Sequence, residues 1–354
     1  MKKKVTALFL LFALIISFIP AGADAHPGRT DSKGGHTCRT NCAKWGLEDG
    51  KYHYHNSDGT IKRTNTTTEA KSTTTQKKET PTKKTDSKAA EIVLPKKQAS
   101  GTLQVYFLDV GQGDSTLIVT PKNQYILIDA GNNDQGKNVV KYLTHLGVKT
   151  LDVMIATHPD ADHIGGLDDV LKAFDVKQVY APKVSNNTVT FEDFLTAVKN
   201  EGRTIKTAKA GVSLELEGID AEFLSPINDY GDELNHWSAV LKVTYKETSF
   251  LFAGDAEYAA EKDMLAGDSD LKADVLKIGH HGSKTSTSKA FADAVSPKFA
   301  IISVGKNNYG HPDSGILARI KNINAVAYRT DKQGTITAVS DGKKITFVTT
   351  KELK

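Results

Sequence analysis

Cysteine is nearly missing from this chain: 2 occur in 354 residues, Cys38 and Cys42, and both lie near the N-terminus. No thiol is therefore at hand for chemistry in roughly the last 250 residues, and a disulfide-stapled scaffold is excluded there. Long apolar runs are missing too, with one exception over residues 5–19, which Lys2, Lys3 and Lys4 precede and Ala23-Asp24-Ala25 follows. That run is shorter than the ~20 residues a bilayer span needs, and its basic flank and small residues mark residues 1–25 as a secretory signal peptide. The expectation is a secreted, extracellular protein beginning near His26, with no integral membrane span after cleavage.

A third absence lies over residues 65–100, which hold almost no large apolar side chain before Ile92 and begin NTTTEAKSTTTQKKETPTKKTDSKAAE. Such a stretch cannot bury enough surface to offset its ordering entropy, so a disordered linker is expected. Charge is uneven as well. Residues 26–100 carry 15 Lys/Arg against 8 Asp/Glu while the whole chain is only +4, which leaves the C-terminal part net acidic. An acidic body argues against a broad positive face for nucleic acid. The basic arm has two readings: a contact for polyanions such as nucleic acid or cell-wall polymers, or a linker kept extended and soluble by its lysines.

Residues 26–64 concentrate unusual side chains in HPGRTDSKGGHTCRTNCAKWGLEDGKYHYH. His36, Cys38, Cys42, His53 and His55 offer the nitrogen and sulfur ligands that tetrahedral zinc prefers. A Cys38–Cys42 disulfide is the competing reading for an exported chain. The segment resembles the small YHYH modules near the N-terminus of some bacterial exported proteins, a likeness that implies no activity.

Residues 101–354 are legible in more detail. Apolar runs at 102–110, 115–120 and 125–130 with Gly-Gln-Gly-Asp and Pro-Lys-Asn-Gln between them predict three consecutive antiparallel strands. Apolar spacing over 136–146 predicts a helix, 151–157 a buried strand, and strand-like and helix-like segments alternate from there on. Strand clusters in each half with helices between them predict an α/β (α+β) architecture, an αββα sandwich of two face-to-face sheets with helices outside. Periodicity leaves a doubly wound sheet open.

Candidate ligands gather at strand ends. The segment IATHPDADHIGG places His158, Asp160, Asp162 and His163 within six residues after a buried strand and before a Gly-Gly turn. Strand-end loops commonly carry binding groups, and carboxylate with imidazole suits Zn²⁺ or Mn²⁺. The pattern recurs: FLFAGD ends in Asp255, VLKIGHHGS in His280 and His281, and the strand over 299–304 leads to His311. Convergence of such groups from separate strands is how a site for two divalent cations about 3.5 to 4 Å apart is built.

With these motifs in hand, the region 103–348 resembles the metallo-β-lactamase superfamily, and within it the hydrolase domain of the ComEC DNA-uptake channel family. The matching residues are FLDVGQGD at 107–114, LIDAG at 127–131, THPDADHIGG, AGD at 253–255, HHGS at 280–283 and GHP at 310–312. The resemblance implies the metallo-β-lactamase fold, two divalent metal ions (Zn or Mn), metal ligation by His158, Asp162, His163 and Asp255, and a bracing role for Asp129 behind the ligand loop. Asp160 stands where the common superfamily motif has a second His, which hardens the site and favours Mn²⁺ over Zn²⁺. His280, His281 and His311 compete for the last ligand place, His280 and His311 being candidate ligands and His281 and His311 candidate catalytic groups. His236 is either a further ligand or a surface residue.

The expected chemistry is hydrolysis by a metal-activated water, with Asp162 orienting the nucleophile and a spare imidazole serving the leaving oxygen. The resemblance implies a phosphodiester substrate, with nucleic acid as a candidate. Ser283 and Lys284 are candidate phosphate contacts, although Ser and Thr are also ordinary helix-start residues. Lactone, thioester or β-lactam hydrolysis is the alternative chemistry, and a non-catalytic, cell-wall-associated binding protein is the alternative class.

Overall fold

The structure is a computed structural model that describes residues 35–37, 52–55, 61–62, 94–96, 98 and 101–352. The expected signal peptide, Cys38, Cys42 and most of the expected linker lie outside the described residues. The chain divides into two compact units, Met1–Thr85 and Asp86–Lys354, a division that falls within the expected linker.

In the first unit, β1 (Gly35–Thr37), β2 (Tyr52–His55) and β3 (Ile61–Lys62) form an antiparallel sheet in that order. The YHYH segment is β2, and His36 is paired with His53 across the ladder.

The second unit is built on two sheets. The first contains β4 (Leu103–Phe107), β5 (Thr116–Val119), β6 (Tyr125–Ile128), β7 (Thr150–Ile155), β8 (Asp175–Ala181) and β9 (Ile205–Thr207). It is completed by β16 (Ile336–Ser340) and β17 (Ile345–Thr349), giving the order β17-β16-β4-β5-β6-β7-β8-β9. The second contains β10 (Asp220–Phe223), β11 (Leu241–Tyr245), β12 (Thr248–Phe252), β13 (Val275–Lys277), β14 (Phe299–Ile302) and β15 (Val326–Arg329), in chain order.

Alternation along the strands decides the layers. In β4, Leu103, Val105 and Phe107 enter the core between the sheets, where they join Val243, Phe250 and Phe252, while Tyr106 faces the outer side. Because both faces of these strands are covered, they read as nearly continuous apolar runs rather than half-polar ones. Outside the first sheet lie α1 (Gly136–Leu146), α2 (Ala161–Ile164), α3 (Leu167–Ala173) and α4 (Val189–Asn200). The buried side chains of α1 are Val139, Tyr142, Leu143 and Leu146, a spacing of one helical stripe that packs on Leu117 and Leu127. Outside the second sheet, α5 (Tyr258–Ala266), α6 (Lys289–Val295) and α7 (Ser314–Asn322) contribute Ala260, Met264, Phe291, Val295, Ile316 and Ile320 to a third core. A short α8 (Thr330–Gln333) links β15 to β16. The result is the expected αββα sandwich, with two sheets in place of a single doubly wound one.

β6 to β9 run parallel to one another, as do β12 to β15. The C-terminal ends of β6 and β7 in one sheet and of β12, β13 and β14 in the other carry the residues singled out by sequence.

Candidate metal centre

The site begins where β6 ends. Asp129 adopts a left-handed backbone (φ 56°), which stops the strand and turns its fully buried carboxylate inward. Its Oδ1 accepts from the Thr157 amide at 2.9 Å and its Oδ2 from the Thr157 hydroxyl at 2.7 Å. Oδ2 also lies 2.8 Å from His163 Nδ1, so the imidazole donates from Nδ1 and presents Nε2 to the pocket. Asp129 thus ties the Thr157 backbone and the His163 ring together at the end of β6.

The loop after β7 supplies the next groups. Asp160 sits at the N-cap of α2, a single turn that carries Asp162 and His163. The following Gly-Gly is a packing requirement: a Cβ at Gly166 would collide with the Ala130 carbonyl beside Asp129. The rings of His158 and His163 lie tilted at 55° with centroids 4.2 Å apart, and His163 Nε2 is 3.2 Å from Asp255 Oδ1 at the turn after β12.

The second sheet closes the pocket. After β13, His280 and His281 both have positive φ (47° and 51°), which sends two consecutive rings in different directions. His281 is buried, donates from Nδ1 to the Ser303 carbonyl at 2.9 Å, and sets Nε2 3.3 Å from Asp162 Oδ2 and 3.4 Å from Asp255 Oδ2. His280 is partly exposed, with Nδ1 2.8 Å from Glu257 Oε1 and Nε2 3.7 Å from Asp255 Oδ2.

The donor set fits divalent cations. Nε2 of His158, His163 and His281 and Oδ1 of Asp255 are buried without a hydrogen-bond partner, although an unpartnered buried polar atom is costly. Ligand atoms of His158, His163 and Asp255 lie within 4.8 Å of one another, and so do those of Asp162, His163 and His281. His163 belongs to both groups, but with Nδ1 committed to Asp129 its single Nε2 lone pair serves one ion; Asp255 reaches both sides, with Oδ1 3.2 Å from His163 Nε2 and Oδ2 3.4 Å from His281 Nε2.

Electrostatics bind the cluster further. Burial raises the Asp255 and Asp162 carboxyls, but His163 and His281 outweigh it and hold both below the usual carboxylate range. Burial lowers the imidazoles, yet Asp255 and Asp129 bring His163 well above its ordinary value, and Asp255 and Asp114 bring His281 up to about 10. His311 is pushed down by burial and by the neighbouring His280 and His281.

The placement differs from expectation at several residues. Of the three competing imidazoles, it is His281 that stands among the ligand groups; His280 and His311 do not, and they pack edge to face at the rim with centroids 5.3 Å apart. Asp160 also lies outside these groups: its carboxylate is 39% exposed and 3.6 Å from His158 Nε2. His236 faces Glu257 at 3.4 Å. The Ser283 hydroxyl is buried against Thr285, whereas Lys284 is exposed beside the pocket. Sequence reasoning passed over Asp114 and Lys277, which form an ion pair deep in the site. Lys277 had a legible signal, a charge within an otherwise apolar strand.

The profile of the Metallo-beta-lactamase superfamily matches residues 108–306. The chain belongs to this superfamily. Its members are typically metal-dependent hydrolases, in agreement with the donor set just described. The chain is 36% identical over 251 residues to ComE operon protein 3 of Bacillus subtilis (strain 168), covering 66% of this chain and 32% of that protein. It is 33% identical over 251 residues to Recombination protein 2 of Haemophilus influenzae, covering 69% of this chain and 30% of that protein. The chain thus spans about a third of the length of these relatives. Among solved structures, the metallo-beta-lactamase fold protein YhfI from Bacillus subtilis aligns with a TM-score of 0.47 at 13% identity, covering 67% of this chain and all of that one.

Proposed function

We propose that residues 101–354 form a phosphodiesterase that works with two divalent cations, Zn²⁺ or Mn²⁺, and that its substrates are nucleic acids. The observation that carries the reading is the set of three imidazole Nε2 atoms, each fixed from behind through Nδ1, that point with Asp162 and Asp255 into one buried pocket. One ion would be held by His158, His163 and Asp255, and the other by Asp162, Asp255 and His281. When bound, such ions acidify a water towards neutrality and polarise a phosphoryl oxygen.

The protein's own groups supply orientation and proton handling. Asp129 fixes the His163 tautomer, and the Ser303 carbonyl fixes that of His281. Asp162, whose side chain is 30% exposed, lies where it can align the attacking water by hydrogen bonding. Glu257 stays below the ordinary carboxylate range despite burial because His280 and Thr285 bond to it. It holds His280 with Nε2 on the pocket side, where it can protonate a leaving oxygen.

Two features support nucleic acid. One is the resemblance to the ComEC-type hydrolase domain. The other is Tyr309, which is 74% exposed beside His311, with ring centroids 5.7 Å apart. Its loop is tied down by Asn307, whose Oδ1 accepts from the amides of Tyr309, Gly310 and His311. A solvent-facing ring on a fixed loop at the rim suits stacking of an unpaired base.

The proposal extends to location: export after cleavage near Ala25 would set the enzyme to work outside the cytoplasmic membrane, with cell-wall polymer as a further partner of the basic arm. Among the described residues no helix is long and apolar enough to cross a membrane.

The test is turnover of bis(p-nitrophenyl) phosphate and of a single-stranded oligonucleotide by cation-loaded protein. The expected result is cleavage of both, abolished by chelator and lowered at least about a hundredfold in Asp162→Asn at unchanged thermal stability. Tyr309→Ala is expected to raise KM for the oligonucleotide and leave the small diester unaffected. Hydrolysis of a lactone, thioester or β-lactam with no rate on either phosphodiester would overturn the reading, as would biological activity that survives Asp162→Asn.

A further inference from the structure

We infer that Lys277 is a positioning residue of the metal centre, one that joins the two sheets beneath the pocket and keeps Asp114 out of the ligand set. The inference rests on the two-cation reading and adds to it a residue that touches neither substrate nor ion.

Lys277 is the last residue of β13, after Val275 and Leu276, and is only 3% exposed. An apolar side chain is the ordinary occupant of such a position, since a buried ammonium gives up its hydration and needs partners to offset that loss. Its partners come from both halves of the site. Nζ donates to the Gly254 carbonyl at 3.0 Å, immediately before Asp255, and lies 3.9 Å from Asp255 Oδ1. Across the interface it forms an ion pair with Asp114, on the loop between β4 and β5 of the other sheet.

Asp114 is wired to the first half of the site by its backbone. Its amide donates to the Asp162 carbonyl at 3.1 Å, and its carbonyl accepts from Gly131, two residues after Asp129, at 2.8 Å. A single ammonium therefore connects the backing of Asp162 with the turn that carries Asp255, and β13 itself leads to His281. This fixes the separation of ligands that come from different sheets.

The second effect concerns which groups a cation meets. Asp114 is 5% exposed, and its Oδ1 lies 3.3 Å from His281 Nδ1. Ligand atoms of Asp114, Asp255 and His281 lie close enough together to make a competing cation site. With Lys277 on its other oxygen, Asp114 is neutralised and held behind His281. The cations are thereby directed to the face where Nε2 of His158, His163 and His281 emerge. Neutralising Asp114 also removes one negative charge that an anionic phosphate would otherwise meet in the pocket.

The decisive experiment compares full-length wild type, Lys277→Met, Lys277→Arg and the double variant Asp114→Asn/Lys277→Met after chelation. Thermal unfolding of the chelated proteins is measured beside Mn²⁺ stoichiometry and affinity by calorimetry, and spin coupling of the Mn²⁺-loaded proteins by paramagnetic resonance. Lys277→Met strands a buried carboxylate and is expected to lose stability. The double variant removes both charges. It is expected to unfold within a few degrees of wild type, yet to bind its second Mn²⁺ at least about tenfold more weakly and lose the coupled signal. Lys277→Arg, which keeps the charge, is expected to retain coupling if it folds. Wild-type affinity and coupling in the double variant, or in a folded Lys277→Met, would overturn the inference. Failure of wild type itself to bind two cations would instead overturn the proposed function.

Discussion

At the residue scale, the centre is a set of imidazoles whose back nitrogens are spoken for. His163 rests on Asp129, His281 on the Ser303 carbonyl, and His158 Nδ1 lies 3.1 Å from the Thr157 hydroxyl. Protons and cations then compete for the front nitrogens. The flanking carboxylates hold His163 well above its ordinary pKa and His281 at about 10, so these two imidazoles must give up a favoured proton to bind a cation. Cation affinity is therefore expected to rise with pH through the neutral range, about tenfold per unit for each proton displaced. Competition with a chelating dye at pH 6, 7 and 8 checks this, and a flat profile would contradict it. The His pair offers a second check. His281→Ala is expected to lose a cation, whereas His280→Ala is expected to keep both cations and to lower kcat. Sequence left His280, His281 and His311 competing for the last ligand place. It could not show which, because the choice depends on two successive left-handed backbone angles and on the Ser303 carbonyl, 22 residues away.

At the element scale, the boundaries follow from where the chemistry begins. The helix predicted over 136–146 is found as α1 over the same residues, because its apolar stripe is regular and Gly147 ends it in a left-handed conformation (φ 84°). The strand predicted over 151–157 instead runs Thr150–Ile155, since Thr157 and His158 are taken out of the ladder to serve Asp129 and the pocket. The Ser and Thr residues after the His pair prove partly structural: Ser288 caps α6 by accepting from the Phe291 amide at 3.2 Å. Buried Glu261 on α5 holds the same segment through the amides of Thr287 and Ser288.

Burial raises the Glu261 carboxyl above its ordinary value against those bonds. The stability it contributes is thus fully present below the usual glutamate pKa and is lost as pH rises through the elevated one. Urea unfolding from pH 4 to 7.5 is expected to show wild type losing ground to Glu261→Gln as pH rises, and a constant difference would contradict the assignment. The loop before β5 has its own requirement. Gly113 (φ 139°) lies against the Asp162 carbonyl, where a Cβ would collide, so Gly113→Ala is expected to weaken cation binding more than overall stability.

At the scale of the whole molecule, two sheets with separate helical coats bring His158, Asp162 and His163 from the first half of the domain and Asp255 and His281 from the second half to one rim. The sandwich was legible in the strand clusters of each half with helices between them and in the family motifs, whereas periodicity alone also allowed a doubly wound sheet. The pairing of the sheets was not, since strand register and inter-sheet contacts such as Lys277 with Asp114 join residues distant in sequence. The shared core is expected to behave as one structure: Phe250→Ala, at a fully buried position between the sheets, should cost about 3 to 5 kcal/mol in denaturant unfolding. His158, Asp162, His163, Asp255 and His281 are expected to hold two cations between the sheets. Anomalous scattering from crystals of the Mn²⁺-loaded protein tests it most directly. The expected map has two peaks about 3.5 to 4 Å apart, within bonding distance of the three Nε2 atoms and both carboxylates. Peaks centred elsewhere, or none in this pocket, would contradict the account.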